Sequence, residues 1–257
     1  MFTIAGFVID FIVIALLVIF GLIGLKKGLF KSLLSLFSWS VCIVLACLTA
    51  KYVAGWIDKL FNFSGLIGNR IAISLSKSNN FFAKPISAFA EGGKDSLIAA
   101  VNELKINKLL KEIIKIVFSK GKIDMTSSKT IGSVVGLKLG NICMIVITAI
   151  LMFILLKVAL FLLSKFFKNL EQIKLIGGLN KAIGFILGVA KACVIILTVN
   201  MVLVALTLIP AVDKTVTPII NQNTYIERFV YKQSDKLFEK YIVDGKVLTN
   251  LTKTIKK

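Results

Sequence analysis

Histidine is absent from this chain, which removes the commonest general base and the commonest transition-metal ligand together. Metal chemistry and Ser-His catalysis are therefore not expected, nor is any cofactor. Arginine is almost missing as well, Arg70 and Arg228 being the only two, so Lys carries nearly all of a +19 net charge. Acids are scarce, 13 against 32 basic residues, and Asp10 is the only one inside a long apolar run. The four cysteines, Cys42, Cys47, Cys143 and Cys193, sit within apolar runs with no zinc spacing and no disulfide framework, where a thiol behaves as a small hydrophobe. Nucleic-acid binding is not expected either: the lysines flank apolar stretches and no base-reading motif accompanies them.

What the chain has in excess is apolar residues, 57% of its 257, above the roughly 45–50% of a soluble domain. Its mean hydropathy is +0.89, and the expected solvent is a lipid bilayer. Four runs approach the roughly 20 helical residues that cross a hydrocarbon core: 4–25, 29–50, 133–164 and 182–209. No Lys or Arg precedes the first run, whereas Lys26, Lys27 and Lys31 follow it, the reverse of a secretory signal. The basic stretch 24–28 then reads as a tight hairpin tip. Tyr52 and Trp56 mark the opposite interface, because amphipathic rings favour the headgroup level. Pro210 is expected to end the fourth run by withholding a helical donor.

The expected fold is an all-α integral membrane protein of about four transmembrane helices arranged as two hairpins. Its segments are a first hairpin (1–57), an extracytoplasmic loop domain of amphipathic helices (58–129), a second hairpin (130–209) and an extracytoplasmic tail (210–257). In the loop domain, Ile106, Leu109, Leu110, Ile113 and Val117 recur at helical spacing over 103–118. That helix packs on its own protein or lies in the interface. In the tail, Thr224 and Glu227 form a capping-box pattern, and Asp244-Gly245 reads as a terminating turn. Two short loops are basic, one with Lys26, Lys27 and Lys31 and one with Lys165, Lys168, Lys174 and Lys181. Both should face the cytoplasm, leaving both termini outside.

Small residues recur every four positions: Gly24 and Gly28, then Gly132, Gly136 and Gly140, then Gly184, Gly188 and Ala192. Such strips let helix backbones approach closely in a membrane, and packing is their default reading. Intramembrane polar groups are costly and hence more informative. Asp10 and Asn200 fall at similar depth, so they can meet as a candidate intramembrane polar site. Asp10 is then a structural clamp, a proton or substrate contact, or a shallowly exposed acid. Lys157 and Lys191 lie in the inner half, within snorkelling reach of the headgroups, and a direct Asp10–Lys191 pair is disfavoured by depth.

Three stretches carry a family resemblance: VID at 8–10, GLIGLKKGLFKSLLS at 21–35 and GLNKAIGFILGVAK at 178–191. They resemble the two signature regions of the colicin V production protein family, small multi-span proteins of the bacterial inner membrane. Ala192 stands where a glycine is usual, and Lys26 and Lys27 where an aromatic and an arginine often occur. The resemblance implies a role in toxin production or export, or more broadly in envelope homeostasis, with no agreed biochemical activity; it does not imply that the host makes that toxin. The leading expectation is therefore a non-enzymatic protein that works through other membrane or envelope proteins, with a homo-oligomer as a further option. The rival is a small transporter or channel whose polar pathway passes Asp10 and Asn200.

Overall fold

The computed structural model describes residues 4–120, 123–166 and 178–238. Helices dominate: α1 (Ile4–Phe61), α2 (Phe63–Ser78), α3 (Gly93–Glu103), α4 (Lys108–Lys120), α5 (Ile131–Phe166), α6 (Gly178–Leu206), α7 (Pro210–Asn223) and α8 (Ile226–Phe238). Among the described residues the one extended pairing is an isolated bridge between Pro85 and Thr130. Three stretches are long and apolar enough to cross a bilayer, Gly6–Phe61, Ile131–Leu162 and Gly178–Leu206. Their large apolar side chains are widely exposed, among them Phe11, Phe37, Leu155 and Ile186, as helices solvated by lipid require.

The 58 residues of α1 are two helices meeting at Gly28, which has φ 72° and ψ 179°. Only glycine reaches that conformation without strain, and its effect is a reversal. The Ser32 hydroxyl donates to the Gly24 carbonyl at 3.1 Å, although residues eight apart on a straight helix are separated by about 12 Å. Further along, the rings of Phe20 and Trp39 each lie 5.3 Å from the same Lys191 ammonium, so the two arms of α1 run side by side. The break leaves Leu29 without its helical acceptor, and the Asn180 side chain replaces it at 2.6 Å. The bend thus occupies a single residue rather than the whole stretch 24–28.

Contacts divide the chain into two units. The first contains Met1–Trp56, Ile145–Asn200 and Gln222–Val230. The second contains Ile57–Met144, Met201–Asn221 and Tyr231–Lys257. Each is assembled from segments far apart in sequence.

In the second unit, α4 buries Leu109, Leu110, Ile113, Ile114, Val117 and Phe118. The stripe read from the sequence therefore packs into its own protein. The helix starts at Lys108 rather than at 103, with the Asn107 side chain accepting from Leu109 N–H at 2.9 Å. Asp58 reaches forward to α2, accepting from the Ser64 N–H at 2.7 Å and the Ser64 hydroxyl at 2.5 Å. The strip Gly132, Gly136 and Gly140 packs on α2: a Cβ on Gly136 would lie 2.5 Å from the Gly68 carbonyl, one on Gly132 3.0 Å from the Ser76 hydroxyl, and one on Gly140 would strike the Ser64 carbonyl. The two helices therefore run antiparallel. Pro210 does not end the last apolar run: α6 stops at Leu206 and Pro210 opens α7, a position where its missing donor has no helical partner to lose.

Candidate intramembrane polar sites

The first unit holds two polar clusters, one acidic and one basic. At the acidic one, Asp10 projects from α1 and its carboxylate accepts two backbone donors from the start of α8, Tyr225 N–H at 2.7 Å and Glu227 N–H at 2.9 Å. The first N–H groups of any helix lack internal acceptors, and a carboxylate there also meets the positive end of the helix dipole. Asp10 thus supplies, from more than two hundred residues away, the cap that the Thr224–Glu227 pattern predicted from within the tail.

Glu227 is 8% exposed and Asn200 2%. The Asn200 amide donates to the Ile196 carbonyl at 3.0 Å, which fixes its oxygen as the remaining acceptor. Among the described residues, that Asn200 oxygen and the Glu227 Oε2 are buried without a hydrogen-bond partner. Burial raises the Glu227 carboxyl above its ordinary value of 4.5, and the nearby charge of Asp10 adds to the rise, while hydrogen bonding with Asn200 opposes it. Protonation turns this carboxyl from an acceptor into a donor. Asp10 and Asn200, expected to meet directly, are instead joined through Glu227. The sequence marked Glu227 only as part of a helix-start pattern, because it sits on an amphipathic tail helix.

The basic cluster lies further along the same helices. Lys191 donates to the Ser35 hydroxyl at 2.8 Å and stands over Phe20 and Trp39. Lys157 bonds Ser38 at 3.1 Å and lies 4.8 Å from the Trp39 ring centroid. Trp39, tilted against Phe153 at 5.0 Å, therefore serves two ammonium groups. Cation–π attraction strengthens when the cation is shielded from water, so these lysines have local partners besides any route to the headgroups. The serine and aromatic partners were not singled out in the sequence, where single hydroxyls in an apolar run carry no pattern.

Beyond the basic cluster, toward the Gly28 reversal, the glycine strips bring α1 and α6 into backbone contact. A Cβ on Gly24 would strike the Gly184 carbonyl, one on Gly184 would lie 2.5 Å from the Gly24 carbonyl, and one on Gly188 would strike that of Phe20. A Cβ on Gly28 would meet the Asn180 side chain at 2.8 Å. The pairing of 20 with 188, 24 with 184 and 28 with 180 makes the first arm of α1 antiparallel to α6. Ala192 is buried on the same helix. Lys26, Lys27, Lys31 and Lys181 are exposed. Lys168, Lys174 and the Asp244-Gly245 turn lie outside the described residues, and of Lys165 only the helical backbone is described. No group of three or more metal-ligating side chains occurs among the described residues.

Residues 9–90 match the family model for colicin V production protein, in agreement with the resemblance of the sequence. The match takes in Asp10, the Gly28 reversal and the serines beneath the lysines. That family is not a known enzyme family. No curated protein and no solved structure matches the chain.

Proposed function

We propose, taking the colicin V production match as the premise, that this chain is a non-enzymatic scaffold of the bacterial inner membrane that supports toxin export or envelope homeostasis through protein partners. It crosses the bilayer four times as two hairpins, with the basic stretches in the cytoplasm and both termini outside. The reversal at Gly28 supports the first hairpin, since each arm of α1 is long enough for a core of roughly 30 Å at 1.5 Å per residue.

The observation that carries the scaffold reading is the use to which Asp10 is put. The only acid in the first apolar run spends both carboxylate oxygens on the backbone of the tail, which is a clamp rather than a substrate contact. The tail and the second unit are then the parts held out for partners. The transporter reading has one observation in its favour, the unpartnered acceptors of Asn200 and Glu227, a place where a proton or a donor-bearing substrate would fit.

Complementation of an envelope-stress phenotype separates the two readings. Asp10→Asn keeps one acceptor oxygen, and a scaffold should retain function with it at normal membrane levels. Wild-type proton flux in proteoliposomes, together with an abundant but inactive Asp10→Asn protein, would overturn the scaffold.

A further inference from the structure

The second unit contains a polar cavity of about 480 Å³ lined by the segment leading into α4, by α7 and by α8. Its size falls in the roughly 300–1,000 Å³ range of small-molecule sites. Thr207 on its wall directly follows Leu206, the last residue of a candidate span, which puts the cavity where a crossing helix reaches the headgroup level.

An account of the cavity's polar groups shows what it has left to offer. Asp213 accepts from the Asn107 amide at 2.9 Å and the Thr217 hydroxyl at 2.6 Å. The Asn107 oxygen is taken by Leu109 N–H. Thr207 donates to the Val204 carbonyl at 2.8 Å and lies 3.2 Å from the Tyr231 hydroxyl, and Ser78 donates to Leu75. Burial is the main cause raising the Tyr231 phenol above its ordinary value, with Asp235 and Asp213 adding to it; the lysines of the lining, Lys105, Lys108 and Lys214, outnumber these two carboxylates. Among the described residues of the lining, the side-chain groups that remain for a ligand are of one kind. They are the ammonium groups of Lys105 and Lys214 and the amide nitrogen of Asn79, whose oxygen already accepts from Phe81 N–H at 2.9 Å. All three are donors and two are cations, so the complementary ligand is an anion with several acceptor oxygens.

We propose that this cavity binds a phosphate ester, held by Lys105, Lys214 and Asn79 and supplied by a phospholipid headgroup or by a soluble phosphate monoester. The site is separate from the Asp10 cluster and does not depend on the scaffold reading. Two donors on flexible stems and one on a fixed helix end let the oxygens be gripped from several sides.

The test uses the full chain in a phosphate-free maltoside detergent. Native mass spectrometry measures retention of phosphatidylglycerol against diacylglycerol of the same chains, and calorimetry measures glycerol 3-phosphate. Charge-assisted bonds are the strong ones, so the Lys105→Gln/Lys214→Gln double variant should lower affinity for the phosphate-bearing probe by about tenfold or more. Both lysines are exposed, and the thermal midpoint should stay put. Asn79→Asp keeps the oxygen that serves Phe81 and replaces the donor, and should weaken the same binding. Retention of phosphatidylglycerol alone assigns the lipid, and binding of glycerol 3-phosphate assigns the soluble ester. Equal retention of diacylglycerol, or a double variant that binds both phosphate probes as the wild type does, would overturn the proposal.

Discussion

The acidic and basic clusters of the first unit solve the same problem, a polar group in an apolar bundle, by different means. Asp10 is satisfied by backbone N–H groups on another element, so its short side chain fixes where α8 begins. Lys157 and Lys191 are satisfied by hydroxyls and ring faces, at the end of long stems that adjust to their surroundings. The acidic cluster therefore holds three distant segments in one geometry, whereas the basic one is a forgiving neutralisation of charge. Damage at the first should detach the tail; damage at the second should be absorbed.

The glycine contact between α1 and α6, beyond the basic cluster, is the place where a substitution should erase the comparison altogether. Gly188→Leu puts a side chain against the Phe20 carbonyl, where only backbone can yield. The cost should reach or exceed the ~1–3 kcal/mol of ordinary overpacking. A low folded yield in detergent and a lowered thermal midpoint would register it, and an unchanged midpoint would mean that α1 and α6 are not in contact.

Next in size is Asp10→Leu, which removes the acceptor of one exposed and one part-buried donor at the start of α8, a lost cap costing about 0.5–2 kcal/mol. Protease cleavage in 225–238 should accelerate while the membrane helices stay intact. Asp10→Asn should show a smaller version of the same change. If both variants were cut at the wild-type rate, α8 would be anchored elsewhere.

A third test concerns pH. Docked, Glu227 holds its proton above the ordinary 4.5; undocked, it titrates near that value. In the window between, the docked state binds more protons, so docking weakens as pH rises and gains nothing further below 4.5. Tail protection followed from pH 4.5 upward should fall in the wild type and stay flat in Glu227→Gln, whose amide is neutral throughout. A wild-type profile with the opposite slope would remove Glu227 from the latch.

The smallest effect belongs to the basic cluster. Trp39→Leu removes the ring shared by both lysines and should cost about 0.5–2 kcal/mol in thermal stability, with no change in tail cleavage. A change in tail cleavage would mean that the clusters are coupled.

Much of this arrangement was visible in the chain. Hydropathy located the long helices, and the glycine spacing marked surfaces where backbones meet; depth counting gave Asp10 and Asn200 a similar level but not the partners each one uses. What pattern reading missed are the long-range substitutions of one group for another: Asp10 capping α8, Asn180 receiving Leu29 at the Gly28 break, and Ser35 and Ser38 beneath the lysines. Periodicity reports which face of a helix is apolar, but not which distant side chain satisfies a given donor. The same limit applied to Gly132, Gly136 and Gly140, whose partner α2 lay in a stretch read as part of an outer domain.

The most direct measurement of the clamp is hydrogen–deuterium exchange at the Tyr225 and Glu227 amides in the membrane-embedded protein. Bonded to Asp10, both should be protected in the wild type and should exchange much faster in Asp10→Leu, with amides in the middle of α8 less affected. Fast exchange at both positions in the wild type, or identical exchange in the two proteins, would contradict the account of Asp10 as the residue that fixes the tail.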